Sequence, residues 1–118
     1  MDSPLVVSFD AGTTSVKTLV FDQLARPVIT TASVGYDLRT TSDGGVEIDV
    51  SNLFAATLDS LDQAHRSLAQ LGMKPAALAM CTFWHSFLGV GADGQPTTPI
   101  LHLLDTRSQP TAEALKRD

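Results

Sequence analysis

The segment "FDAGTTSVKTLVFD", Phe9 to Asp22, limits the possible folds more than any other part of this chain. Leu5–Phe9 and Val16–Phe21 are rich in β-branched and aromatic residues, the composition of strands. Asp10 to Ser15 lie between them as a turn, with Gly12 supplying backbone freedom. A strand therefore follows the glycine turn, where dinucleotide-binding folds place a helix. No Gly-Lys-Ser/Thr closes the turn either, so it is not a P-loop. A hairpin needs only a turn former, yet this turn carries a carboxylate, two hydroxyls and, just beyond, a lysine.

The rest of the chain extends the meander and then changes period. Leu24–Pro27 breaks the chain again, and "VITTASVGY" reads as a third strand. The polar stretch Asp37–Asp49, with Gly44 and Gly45 inside it, reads as a loop. Phe54, Leu58, Leu61, Ala64, Leu68 and Leu71 recur at spacings of three and four. They predict a helix over Val50–Leu71 that packs through one apolar stripe. Asp49 or Ser51 can cap its start and Gly72 its end, and Pro75 blocks continuation. Ala76–Thr82 reads as a strand buried on both faces, the kind that follows a crossover helix. Ser86–Val90 reads as a strand, Ala92–Pro96 as a turn and Ile100–Leu104 as a short apolar run. "TAEALKRD" reads as the opening of a second helix, with Pro110 tolerated in its first turn. The order β-β-β-α-β predicts an α/β fold with a mixed sheet, antiparallel pairs first and then a helical crossover to a parallel neighbour.

Composition narrows the class of partner. A chain of 118 residues with 43% hydrophobic and 18% charged residues is one globular domain's worth of sequence. The formal charge of −5 and the lack of a basic stripe argue against nucleic acid as the main partner. No apolar run approaches the length of a membrane span. "MDSPLVVSFD" has an acid where a signal peptide needs basic residues, so the cytoplasm is the expected compartment. Cys81 is the single cysteine, which excludes an intrachain disulfide and a Cys-based metal site, and its apolar setting predicts a buried, inert thiol.

The turn has two readings on its residues alone. As an ordinary hairpin turn, its Asp and Thr side chains would hydrogen-bond the local backbone. As a phosphate site, Thr13 and Thr14 would offer hydroxyl and N–H donors, while Gly12 would remove the Cβ that holds a phosphate away. Lys17 would then meet phosphoryl oxygens, and Asp10 would orient a hydrated Mg²⁺, which keeps its waters and needs only one or two carboxylates. That combination is what phosphoryl transfer requires.

Three stretches together settle which family this chain resembles. "FDAGTTSVKTLVFD", opening a β-meander, resembles the first phosphate motif of the sugar kinase, Hsp70 and actin superfamily, whose fold is ribonuclease H-like. "GGVEIDVSNLFAATLDSL" and "CTFWHSFLGVGADGQPTTPILHLLDTR" are similar to segments of the FGGY carbohydrate kinases, and all three lie in the family's order. The resemblance covers nearly the whole chain. It implies that Asp10, Gly12, Thr13, Thr14 and Lys17 face the ATP phosphates, with Mg²⁺ reached from Asp10 through water. It implies that Trp84 and His85 reach the sugar hydroxyls, and that Asp105 and Arg107 match the Asp-x-Arg on the sugar side of the cleft. Glu47 matches a family glutamate whose role the resemblance leaves open.

Each sugar-side residue also has a plain structural reading. Trp84 could fill the core, His85 could be a satisfied structural histidine, and Asp105–Arg107 could be a surface ion pair. His65 and His102 are assigned to structure. The family's usual Gly-Gln before its Met-His is Thr82-Phe83 here, and its Trp-Asn before Asp-x-Arg is Leu103-Leu104. These departures leave the acceptor open among sugars, polyols and sugar acids, with pentuloses and gluconate foremost. The resemblance further implies that residues 1–118 are the N-terminal portion of the first of two lobes. The catalytic-base aspartate and the adenosine site are then expected beyond residue 118, and residues 1–118 alone are expected to be inactive and open to self-association or swapping of the C-terminal helix. A free-standing binding module and another actin-like ATPase are the competing readings.

Overall fold

The computed structural model describes residues 4–117 as two compact units. One holds the chain up to Tyr36 together with Leu53–Phe83, and the other holds Asp37–Asn52 and the chain from Trp84 onward.

The first unit is built on the meander. Strand β1 (Leu5–Ala11) pairs antiparallel with β2 (Ser15–Phe21), with Asp10 opposite Lys17 and Ala11 opposite Val16. The predicted third strand is divided into β3 (Pro27–Thr30) and β4 (Val34–Gly35), both antiparallel to β2. At the break the Thr31 N–H still donates to the Thr18 carbonyl at 3.0 Å. Its Oγ1 accepts the Thr18 N–H at 3.1 Å and donates to the same carbonyl at 2.9 Å, so a side chain takes over one half of the pairing there. Helix α1 (Val50–Gln70) then leads to β7 (Pro75–Thr82), which runs parallel to β1. The order β3-β2-β1-β7 is the expected mixed sheet. Strict alternation along β1 and β2 puts Leu5, Val7, Phe9, Ala11, Val16 and Val20 in the core and leaves Asp10 and Lys17 exposed.

Helix α1 begins where Asp49 Oδ1 accepts the Asn52 N–H at 3.0 Å, as the capping pattern predicts. It ends at Gly72 with φ +65°, where the Met73 N–H reaches back to the Leu68 carbonyl. The packing face differs from the predicted stripe. Ala56, Ser60, Ala64 and Leu68 are buried, whereas Phe54, Leu58 and Leu71 are 63%, 51% and 60% exposed. Small side chains at 56, 60 and 64 form the middle of the contact, Leu68 is buried with Leu5, Val7 and Val20, and Leu61 packs at the edge of the core. Only Phe54, Leu58 and Leu71 of the predicted stripe lie outside it. Ser60 can be buried because its hydroxyl shares a 2.8 Å hydrogen bond with Thr18.

The expected two-sided burial of Ala76–Thr82 is also overturned. All eight residues of β7 are exposed, since among the described residues the strand has only β1 beside it. Cys81 is accordingly exposed, not buried.

The second unit holds an unpredicted sheet. Within the expected loop Asp37–Asp49, β5 (Leu38–Thr40) and β6 (Val46–Ile48) form a hairpin, and β6 also pairs with β8 (Ile100–Leu101). Gly44, at φ +91°, supplies the turn conformation. Ser86–Val90 is not a strand and makes only single bridges, Phe87 to Leu101 and Val90 to Pro96. The turn at Ala92–Pro96 is present, with Gly94 at φ +78°. Helix α2 (Gln109–Leu115) carries Pro110 in its first turn, as expected, and Asp118 at the end of the predicted segment lies outside the described residues. Among the described residues no helix is long and apolar enough to cross a membrane.

Candidate functional site

The β1–β2 hairpin is an open polar turn. The Gly12 N–H donates to the Ser15 carbonyl at 2.9 Å and leaves Thr13 and Thr14 at the tip. Gly12 suits this close approach, because a Cβ there would stand 3.2 Å from the Ser15 oxygen and push it back by a few tenths of an ångström. The turn is braced from below: the Tyr36 hydroxyl donates to the Gly12 carbonyl, and the Tyr36 N–H donates to the Thr14 carbonyl at 3.1 Å. Among the described residues, the hydroxyls of Thr13 and Thr14 have no hydrogen-bond partner, and Asp10 and Lys17 make no ion pair. The ordinary-turn reading requires those side chains to bond the local backbone, and they do not. Asp10 also has Cys81 as its parallel neighbour, so Lys17, Asp10 and Cys81 form one row across three strands.

This donor set fits a phosphate and its magnesium. A carboxylate, two hydroxyls and an ammonium sit at one end of a hairpin, all exposed or half-exposed and all without partners among the described residues. Among the described residues no three His, Cys, Asp or Glu side chains converge as a metal cage. Magnesium, which keeps most of its waters, does not need one.

The second unit concentrates charge around Arg107. Its Nε lies 3.1 and 3.0 Å from the two Asp105 oxygens, and its Nη2 donates to Asp105 Oδ2 at 2.6 Å and to Glu47 Oε1 at 2.8 Å. The other Glu47 oxygen accepts from Arg39, its cross-strand partner on β5. Asp105 is tied further by accepting the Val46 N–H at 3.1 Å and the Arg107 N–H at 3.0 Å. Hydrogen bonds from the Arg107 side chain, joined by those backbone donors, hold the Asp105 carboxyl down at about 2, while the same pairing raises Arg107. Asp105 is therefore ionised throughout the physiological range.

His85, Asp105 and Arg107 line one pocket of ≈ 460 Å³ together with Phe87, Leu101, His102, Leu103 and Ser108. Three of the four predicted sugar-side residues thus meet. His85 is held at φ +60°, a left-handed conformation uncommon outside glycine. Trp84 is not among the lining residues; it is 77% exposed, which excludes a core role, and its ring lies tilted against His85 with centroids 6.2 Å apart. Leu103, at a family tryptophan position, contributes an apolar wall. His102, assigned to structure, is buried and accepts the Leu104 N–H on Nδ1 at 3.1 Å, yet it also lines the pocket. His65 is exposed on α1. Arg39 carried no sequence signal, and Glu47 carried only its place before the helix.

Known proteins match this geometry over nearly its full length. Residues 5–118 match the model of the N-terminal domain of the FGGY family of carbohydrate kinases. A xylulose kinase of Streptomyces coelicolor is 31% identical over 115 residues, which is 97% of this chain and 22% of that protein. A xylulose kinase of Staphylococcus xylosus is 26% identical over 113 residues, covering 96% of this chain and 23% of that protein. Among solved structures, gluconate kinase from Lactobacillus acidophilus superposes with a TM-score of 0.85 at 24% identity, over 98% of this chain and 23% of that one. Xylulose kinase from Rhodospirillum rubrum superposes with a TM-score of 0.87 at 18% identity, over 97% of this chain and 24% of that one. These likenesses carry the fold, and the actin-like architecture that the resemblance implied stands. The chain spans between a fifth and a quarter of the length of each relative. It belongs to the FGGY family of carbohydrate kinases, within the family's N-terminal domain.

Proposed function

We propose that this chain is the N-terminal portion of the first lobe of an ATP-dependent carbohydrate kinase that phosphorylates a hydroxyl of a pentulose or of gluconate. Asp10, Gly12, Thr13, Thr14 and Lys17 are assigned to the ATP phosphates, with Asp10 holding Mg²⁺ through water. Bound MgATP would supply the phosphoryl group and neutralise much of its charge. The protein's part at the turn is to position that group: the two hydroxyls donate, and Lys17 meets phosphoryl oxygens. His85, Asp105 and Arg107 are assigned to the acceptor, where a polar pocket can read hydroxyls by donor and acceptor geometry. Trp84, beside His85, is assigned to the same acceptor as an exposed aromatic face.

The observation that carries this reading is the pocket that His85 shares with Asp105 and Arg107, since His85 stands twenty positions before Asp105 and a surface ion pair alone would not bring it to the same cavity. Deprotonation of the acceptor hydroxyl is assigned to an aspartate outside this chain. The test is sugar-dependent ADP release by the intact kinase with pentuloses, gluconate, glycerol and erythritol. Release with a pentulose or gluconate is expected. ADP release that no member of the panel stimulates would contradict an acceptor site for carbohydrate.

A further inference from the structure

Glu47 is the most deeply buried ionisable carboxylate among the described residues, 5% exposed at the centre of the β5-β6-β8 sheet. Both of its oxygens are taken by guanidinium groups, Arg39 on one side and Arg107 on the other. Arg39 is already secured by its cross-strand register, and its side chain is 70% exposed. Arg107 is different, because it stands on the segment after β8 and reaches Glu47 across sixty positions of sequence. Its guanidinium lies against the backbone of Gly45, where a Cβ would come within 2.8 Å of Cζ. Nε and Nη2 are fully used by Asp105 and Glu47, whereas Nη1 hydrogen-bonds to no described residue. Two N–H donors of a pocket-lining arginine are thus left for a ligand, and the direction of that fork is set by what holds the other two nitrogens.

We propose that Glu47 is a positioning residue for the acceptor: it acts through Arg107, fixing the guanidinium against Gly45 so that Nη1 meets a hydroxyl of the bound sugar. This rests on the kinase function proposed above. Asp105 is itself tied to β6 through the Val46 N–H, but it grips Nε and only one hydrogen of Nη2. Glu47 takes the other Nη2 hydrogen from β6, so the guanidinium is held from two sides. A long arginine side chain ordered before the ligand arrives loses less rotamer freedom on binding. Because the contact is made equally before and during phosphoryl transfer, its loss should raise KM for the sugar and leave kcat nearly unchanged.

The experiment is a double-mutant cycle in the intact kinase, with Glu47→Gln, Arg107→Met and the double variant, read as KM for sugar, KM for ATP and Tm. Glutamine keeps the volume of Glu47 but turns an amide N–H₂ toward one guanidinium. The expected result is a sugar KM raised on the order of tenfold to a hundredfold by Glu47→Gln, with ATP KM unchanged. That increase should vanish when Arg107 is already methionine, whatever happens to Tm. Equal increases in both backgrounds, or a parallel rise in ATP KM, would mean a general structural role and overturn the proposal. If Glu47→Gln fails to fold, Glu47→Asp, too short to span both arginines, is carried through the same cycle with the same criteria. A wild-type enzyme that phosphorylates no sugar, or an Arg107→Met enzyme with normal sugar KM, would overturn the acceptor assignment itself, and Glu47's role with it.

Discussion

The two candidate binding regions handle their polar groups in opposite ways. At the β1–β2 turn, Asp10, Thr13, Thr14 and Lys17 have no partners among the described residues and are exposed or half-exposed. Around Arg107, every carboxylate oxygen of Glu47 and Asp105 is engaged, by two arginines and by backbone N–H groups. A turn built to receive a highly charged phosphate gains by keeping its donors free, because internal partners would have to be broken first. A pocket for a neutral hydroxyl gains by spending most of its hydrogen bonds internally, since rigid orientation is what discriminates between hydroxyl patterns. The lesson is that free polar groups and saturated ones can both mark a site, and burial decides which form is stable.

The saturated region can be broken with one methyl group. Gly45 has a backbone conformation alanine can adopt, but the added Cβ would lie 2.8 Å from Arg107 Cζ and 2.2 Å from Thr41 Oγ1. The arginine, the flexible partner, should yield. Thr41, whose Oγ1 accepts the Gly45 N–H, must shift as well. Gly45→Ala in the intact kinase is therefore expected to lower Tm and to raise sugar KM on the order of tenfold to a hundredfold while ATP KM stays unchanged. A normal sugar KM would show that the position of Arg107 is unimportant to the acceptor.

The open region can be sharpened with a thiol probe. Cys81 is exposed and adjacent to Asp10 in the parallel register, so a nucleotide phosphate at the turn should shield it. Labelling by N-ethylmaleimide is expected to slow in saturating MgATP, by at most about tenfold when ATP stands tenfold above its dissociation constant. Labelling that ignores MgATP would place the phosphates elsewhere.

How much of this was legible in the sequence follows the same division. The hairpin could be read because its signal is local: alternation on either side of a short turn specifies strand, turn and exposed face together. The crossover to a parallel β7 was legible for the same reason, from the helix and the apolar run after it. The α1 contact face was read only in part. Ala64, Leu68 and the half-buried Leu61 of the predicted stripe pack on the core, but Ala56 and Ser60 were missed because small and polar residues give little weight to an apolar stripe. The β5-β6-β8 sheet was missed because its strands are two or three residues long, too short for periodicity to register. Asp105 and Arg107 were singled out as candidates through a motif, but Arg39 was invisible and Glu47 unexplained, since their contacts join distant segments. Cys81 was misjudged because an apolar neighbourhood in sequence became an exposed edge in space.

The central claim is that the turn from Asp10 to Lys17 serves phosphoryl transfer. The most direct measurement is turnover of the intact kinase carrying Asp10→Ala, at saturating MgATP and sugar, with sugar affinity measured in parallel. The account predicts a kcat lower by about a hundredfold to a thousandfold, as expected when a group stabilising transition-state charge is removed, with sugar binding largely intact. Near-normal turnover in that variant would reduce the turn to a hairpin connection and contradict the account.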